Sequence, residues 1–332
     1  MADSRLSLAL DMGVVALPDV GRIAVFEPTP DHDLSVLPKD RVLVIQGFKP
    51  FHDHFAQQGY DCAVAPRGDF VAAVLFMPRA RPLARLHLVQ ALGLTQGGVV
   101  IVDGQKTDGI DSMLKDCRKR AQTSAPLSKA HGKIFTVTGD ASAFADWRGA
   151  ATSADGYQTA PGVFSADGVD RGSAVLAQAL PENLKGRVAD FGAGWGYLSA
   201  QILDRAAITE LHLVEADHSA LECARQNVQD PRAQFHWADV TRWTPPAKLD
   251  VIISNPPFHT GRAADPALGQ AFLRAAAKAL APAGQFWVVA NRHLPYERLL
   301  AELFRNVSQA DGGPGFKVLH ATSPIASSRT GR

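Results

Sequence analysis

The feature that most constrains this chain is a short apolar strand running straight into a glycine series: Val188–Phe191, then Gly192-Ala193-Gly194-Trp195-Gly196. Closely spaced glycines let a backbone approach a ligand, and the helix that follows offers free N–H groups. Such a turn belongs to doubly wound α/β sheets. The rest of the second half alternates accordingly. Leu198, Ile202 and Leu203 predict a helix over Tyr197–Ala207, and Leu211–Val214 reads as a strand closed by Glu215. Ser219–Val228 reads as a helix, Gln234–Trp237 as a strand before Asp239, and Val251–Ser254 as a strand before Asn255-Pro256-Pro257-Phe258. An Ala-rich helix over Pro266–Leu280 and a strand over Gln285–Ala290 complete the pattern. Strands alternating with helices predict a parallel sheet covered on both faces.

The first half repeats this order more faintly. Strands are predicted at Arg41–Gln46, Asp61–Ala65, Val71–Phe76 and Val99–Val102, with a helix over Arg81–Leu92. Strand, proline-bearing turn, helix, glycine and strand recur in Val71–Gly104 as in Val251–Asn291, which points to an internal duplication at domain scale. The first copy has lost its chemistry. Arg41–Gln46 is followed by Gly47 alone, and Phe76-Met77-Pro78-Arg79 stands where Asn255-Pro256-Pro257-Phe258 stands in the second copy. Domains are expected at 1–145 and 161–320, with an Ala-, Ser- and Gly-rich linker at 146–160 and a Ser-, Thr- and Arg-rich mobile tail at 321–332.

The glycines follow G-x-G-x-G rather than the dinucleotide fingerprint, which counts against a nicotinamide or flavin enzyme. Glu215 ends the second strand about 20 residues past the loop, where a carboxylate can accept both hydroxyls of a ribose. Asp239 ends the third strand and would face the same crevice, able to accept from an adenine amino group; a turn-forming role suits it as well. The decisive element is Asn255-Pro256-Pro257-Phe258. Its prolines carry no N–H, so the turn presents carbonyl oxygens, and the Asn255 side-chain oxygen adds another acceptor. Acceptors beside the Phe258 ring suit a planar substrate bearing an NH₂ group.

These residues in this order resemble the class I methyltransferases that use S-adenosylmethionine, in the branch that methylates amino groups. More narrowly, Pro161-Gly-Val-Phe-Ser165, Asp170-Arg-Gly-Ser173, Ile252–His259 and Val289–Tyr296 are similar to the bacterial ribosomal RNA guanine-N2 methyltransferases of the small-subunit type. The close match covers roughly Pro161 to Leu319. The resemblance implies two tandem Rossmann-like methyltransferase-fold α/β domains, each a doubly wound seven-stranded sheet, the N-terminal one degenerate. It implies that Asp190, Gly192, Gly194 and Gly196 hold the methionine end of S-adenosylmethionine, Glu215 its ribose and Asp239 its adenine. Phe164 and Ser165 would close over the cofactor, Asn255, Pro256, Pro257 and Phe258 would be catalytic, and His259 and Arg292 would sit near the substrate mouth. Glutamine-N5 methyltransferases of proteins share the tetrad, usually with Tyr as its aromatic. A guanine-N2 methyltransferase of large-subunit ribosomal RNA is a further alternative.

Lys and Arg number 34 against 33 Asp and Glu, so global charge does not drive the chain onto nucleic acid. RNA binding then requires local patches. Lys115, Arg118, Lys119, Arg120, Lys129 and Lys133 form one, with Asp116 the sole acid among them, and Arg79, Arg81 and Arg85 form another. Arg118 and Arg120 are the foremost candidates for docking ribosomal RNA or the small subunit, although a solvated helix face explains them equally well. Cys62, Cys117 and Cys223 form no C-x-x-C pair, which suits a reducing cytoplasm, and no metal site is expected. No apolar run reaches the roughly 18 residues of a membrane span. Leu6–Leu10, broken by Asp11, is too short for a signal-peptide core. A duplicated chain mimics a dimer by itself, so a monomer is expected.

Overall fold

A computed structural model describes residues 4–149, 152–257, 259–260, 263–264, 266–310, 312–313 and 315–325. The chain divides into two compact units, Met1–Ala151 and Thr152–Arg332. In the first, α1 (Arg5–Asp11) precedes β1 (Ile23–Phe26), β2 (Val42–Ile45), α2 (Lys49–Gln57), β3 (Asp61–Ala63), β4 (Ala72–Phe76), α3 (Arg81–Thr95), β5 (Val99–Gln105) and α4 (Ile110–Cys117). Three further strands follow: β6 (Gln122–Thr123), β7 (Leu127–Lys129) and β8 (Gly132–Thr138). The sheet runs β3-β2-β1-β4-β5-β8-β6, with β7 also paired to β8. Every residue of β1, β2 and β4 is buried. Continuous apolar runs of this kind form parallel strands covered on both faces.

The second unit opens with the hairpin β9 (Thr152–Ala154) and β10 (Tyr157–Thr159), then α5 (Arg171–Ala179), β11 (Gly186–Phe191), α6 (Tyr197–Ala200), β12 (Ile208–Glu215), α7 (His218–Asn227), β13 (Ala233–Trp237) and β14 (Leu249–Ser254). The small pair β15 (His259–Thr260) and β16 (Ala263–Ala264) leads to α8 (Pro266–Ala279), β17 (Leu280–Asn291), α9 (Tyr296–Leu303), β18 (Phe304–Ala310) and β19 (Phe316–Pro324). The sheet order is β13-β12-β11-β14-β17-β19-β18. The order reverses between β11 and β14, and at such a switch point the strand ends open a ligand crevice.

Strand register shows how closely the two sheets correspond. Phe26 pairs with Ile45 and Leu75, as Phe191 pairs with Val214 and Ser254. The next residues along each strand are therefore equivalent: Glu27 with Gly192, Gln46 with Glu215, and Phe76 with Asn255. Glu27 N–H donates to the Ile45 carbonyl at 3.0 Å, and Gly192 N–H to the Val214 carbonyl at 2.9 Å. Both residues adopt positive φ, 55° and 74°. The turn has kept its shape after losing its glycine. Gln46 Oε1 accepts from Phe48 N–H at 2.8 Å, as Glu215 Oε1 accepts from Asp217 N–H at 2.8 Å. The other arm is inverted: Gln46 Nε2 donates to the Pro28 carbonyl at 2.9 Å, whereas Glu215 Oε2 accepts from Gly194 N–H at 2.8 Å. His32 stacks on Phe76 with ring centroids 4.0 Å apart. The first unit thus fills its own strand ends with side chains.

Several expectations are corrected. The strand equivalent to Val188–Phe191 is β1, which ends in Glu27-Pro28, not Arg41–Gln46. It is only four residues long, and no glycine follows it. The sheets are mixed rather than parallel, because β19 pairs antiparallel with both β17 and β18, and β8 with β5. The first sheet has eight strands rather than seven. The helix expected over Tyr197–Ala207 stops at Ala200. Beyond it the Arg205 guanidinium takes the carbonyls of Gln201, at 2.6 Å, and Pro181, at 3.1 Å. The stretch 146–160 is not a free linker. Trp147 is buried in the first unit, and β10 is tied to α7 by reciprocal 2.8 Å bonds between Gln158 and Asn227. Residues 321–324 belong to β19, with Ala321 fully buried, so they are not part of a mobile tail.

Candidate active site

The glycine loop sits where β11 ends. Gly194, at φ 55°, has nothing within 4 Å of where a Cβ would stand, so the loop offers bare backbone on that side. Gly196, at φ 89°, is the N-cap of α6, and a Cβ there would lie 3.0 Å from Val228 Cγ2 and 3.3 Å from Ala224 Cα. That glycine lets α7 pack close. Asn227 fastens the loop by donating to the Trp195 carbonyl at 2.8 Å. Trp195 Nε1 in turn donates to the Phe164 carbonyl at 3.0 Å. The Phe164 ring is 61% exposed, and Ser165 takes a left-handed φ of 55°. The segment expected to close over a ligand is therefore anchored to the glycine loop with its ring left outside.

Asp190 lies fully buried beneath the loop. Its Oδ2 accepts from Ser199 N–H at 3.1 Å and Ser199 Oγ at 2.8 Å, while its Oδ1 is buried without a partner. Burial pushes its carboxyl up to about 7, against the opposing pull of the Ser199 bonds. Burial raises Glu215 to about 7 as well. Each Glu215 oxygen accepts one backbone N–H, from Asp217 and Gly194, and a carboxylate oxygen retains a further lone pair. Asp239 is half-buried, and its Oδ1 accepts from Thr241 N–H at 2.8 Å and Thr241 Oγ1 at 2.7 Å, so it does form a turn.

At the end of β14, Ser254 Oγ donates to the Phe191 carbonyl at 2.7 Å and ties the strand to β11. Asn255 follows. Its Nδ2 donates to Asp170 Oδ2 at 2.8 Å and to Ser173 Oγ at 2.8 Å, while its Oδ1 is buried without a partner. Pro256 is buried and Pro257 exposed. Phe258 lies outside the described residues, and of His259 only the backbone, in β15, is described. Two unpartnered acceptors, Asp190 Oδ1 and Asn255 Oδ1, thus stand on neighbouring strands on either side of the switch point. A buried acceptor left unpaired costs free energy that a bound donor restores. The arrangement suits a ligand bringing one cationic group and one NH₂ group.

The likeness to known proteins agrees with this geometry. Residues 156–320 match the family "Methyltransferase small domain". A ribosomal RNA small subunit methyltransferase C from Hahella chejuensis is 32% identical over 278 residues, covering 79% of this chain and 80% of that protein. One from Erwinia tasmaniensis is 30% identical, covering 82% of each. The chain belongs to the ribosomal RNA small subunit methyltransferase C family. Its fold is similar to that of a T. thermophilus 16S rRNA N2 G1207 methyltransferase in complex with AdoMet and guanosine, with a TM-score of 0.76, 24% identity, and coverage of 94% of this chain and 91% of that one. It is accordingly a two-domain methyltransferase fold in which one sheet of the pair has lost its glycine loop.

Other expected residues of this methyltransferase fall elsewhere. Arg292 is exposed, and its Nη2 donates to the Gly313 carbonyl at 2.8 Å. Arg120 pairs through both nitrogens with Asp146 and lies over Trp147 at 4.9 Å, so it fastens a turn of the first unit. Arg81 and Arg85 both pair with Asp116. Lys115, Arg118 and Lys119 remain exposed at the end of α4. Asp170 and Ser173 were visible in sequence only as part of a motif, without a role. The signal that could have found them is the spacing Asp-x-x-Ser before an apolar helix, a side-chain cap. Among the described residues no helix is long and apolar enough to cross a membrane.

Proposed function

We propose that this protein transfers a methyl group from S-adenosylmethionine to the exocyclic N2 amine of a guanosine in small-subunit ribosomal RNA. The observation that carries this reading is the Asn255 carbonyl oxygen, buried, unpartnered and held at the end of β14 next to two residues that lack N–H donors. Bound S-adenosylmethionine would supply a methyl group already activated on a sulfonium. Asp190 Oδ1 would receive the ammonium of its methionine end, and Glu215 would accept from the ribose hydroxyls.

The guanine amine is a weak nucleophile, because its lone pair is delocalised into the ring. Asn255 Oδ1 and the Pro256 carbonyl would accept its two N–H bonds and turn the lone pair out of the ring plane toward the methyl carbon. The same acceptors stabilise the positive charge that grows on nitrogen. Alignment at near-attack distance supplies much of the remaining acceleration. The methylated ammonium is acidic and loses its proton to water without a dedicated base. A base within a helix cannot reach such a crevice, so the guanosine enters unpaired or flipped. Phe258 would stack on it.

Incubation with methyl-labelled S-adenosylmethionine and 16S rRNA lacking its methylguanosines tests the reading. Label should appear as N2-methylguanosine by nucleoside mass spectrometry, and label in protein or in another nucleoside would overturn it. RNA docking is read here on Lys115, Arg118 and Lys119. Arg118→Glu together with Lys119→Glu should weaken RNA binding and lower the slope of log affinity against log salt by about 2, roughly 1 per phosphate contact. A filter-binding salt series checks it, and an unchanged slope places the RNA elsewhere.

A further inference from the structure

We infer that Asp170 and Ser173 are positioning residues for the transfer, a clamp that fixes the Asn255 amide with its oxygen forward and strengthens that oxygen as an acceptor. This rests on the reading above. A side-chain amide can sit either way round, and its two ends have opposite hydrogen-bonding character. Here both N–H bonds are taken, one by the Asp170 carboxylate and one by the Ser173 hydroxyl, each at 2.8 Å. Reversing the amide would set its oxygen against a carboxylate oxygen. Only one orientation survives, and in it Oδ1 is the atom without a partner.

The clamp is built by the start of α5. Asp170 is the N-cap, and its Oδ2 accepts from Ser173 N–H at 2.8 Å as well as from Asn255. The intervening Gly172 leaves room for that carboxylate: a Cβ would stand 3.0 Å from Asp170 Oδ2 and 3.1 Å from Phe316 Cε1. Ser173 is itself buried. The motif Asp170-Arg-Gly-Ser173 thus reads as cap, exposed residue, spacer and second acceptor. A carboxylate bonded to the NH₂ end of an amide makes a charge-assisted bond and polarises the group. That places more negative charge on Oδ1, where charge on the amine develops. Asp170 acts on the substrate through Asn255 without touching it.

Three variants of the full chain separate positioning from capping. Asp170→Ser keeps a good N-cap, but its hydroxyl is one bond too short to cap and reach Asn255 together. It should keep the thermal midpoint close to wild type yet lower kcat about 100-fold, the order expected when a catalytic group is misplaced. KM for RNA and calorimetric affinity for S-adenosylmethionine should stay within about twofold. Ser173→Ala removes one acceptor and should cost about tenfold in kcat. Asp170→Asn retains an acceptor oxygen and should recover most of what Asp170→Ser loses. A readout independent of turnover is the side-chain amide signal of Asn255 in ¹⁵N-asparagine-labelled protein, assigned by its loss in Asn255→Ala. Its protons should be protected from exchange in wild type and lose protection in Asp170→Ser. Wild-type kcat in Asp170→Ser, or an unchanged Asn255 amide signal, overturns the clamp. Failure of the RNA reading shows differently, as absent methyl transfer by the wild-type enzyme, and leaves the amide measurement to decide the clamp.

Discussion

Replacing Asn255 by alanine should lower kcat by about 100- to 1,000-fold, the usual loss when one preorganised hydrogen-bonding group is taken from a developing charge. Affinity for S-adenosylmethionine should remain within about twofold, because Asp190 and Glu215 stand on other strands and have their own partners. The split is informative. Loss of an interaction made chiefly in the transition state lowers kcat and kcat/KM together. Single-turnover rates on 16S rRNA, with calorimetry of cofactor binding, check both halves. An equal loss of turnover and cofactor affinity would mean that Asn255 shapes the crevice rather than meeting the amine. The substitution also strands Asp170 and Ser173, so a modest fall in thermal stability accompanies it.

The second large effect concerns pH. Burial raises Asp190 and Glu215 to about 7 from ordinary values near 4. A carboxyl whose folded pKa lies above its unfolded one favours the fold while protonated. That contribution is complete below the unfolded pKa and disappears as pH rises through about 7. Cofactor binding runs the other way. On the proposed reading an ammonium would pair with ionised Asp190 and hydroxyls would donate to ionised Glu215, so binding would draw both groups into the charged form and release protons. Affinity should therefore be highest above pH 7 and fall below it, by about tenfold per unit for each proton released. Asp190→Asn keeps an acceptor for Ser199 but removes the charge. It should weaken binding about 100-fold, as loss of one member of a buried charge pair does. It should also halve the pH slope. Calorimetry from about pH 6 to about pH 8, in buffers of different ionisation enthalpy, reads both. A flat profile would remove Asp190 and Glu215 from the cofactor.

Much of this was legible in the sequence, for definite reasons. β11, β12 and β14 were readable because each ends in a residue with chemistry, and the strand-loop pattern at Gly192–Gly196 has few other uses. The correspondence of Phe76-Met77-Pro78 with Asn255-Pro256-Pro257 was legible too, and the registers of β4 and β14 place those residues in equivalent positions. β1 escaped notice because it is only four residues long and is followed by Glu27 where a glycine series stands in the second unit. β18 escaped it because only Phe304 of its seven residues is buried, and β19 because Lys317, His320 and Thr322 interrupt its apolar residues. Arg120 could not be separated from Arg118 by composition. What distinguishes them is Asp146 and Trp147, some 26 residues away, which only the fold brings up. The Asp170–Asn255 bond spans 85 residues, and no local pattern encodes it.

The inverted hydrogen bond at Gln46 makes the loss of function in the first unit hard to reverse. Restoring a glutamate there would press a carboxylate against the Pro28 carbonyl, a main-chain acceptor that any residue at position 28 would also present. That step is uphill for as long as the backbone at position 28 keeps its place. Single substitutions in the silent copy are thus free to refashion its surface, while reviving its crevice requires rebuilding the backbone that closes it.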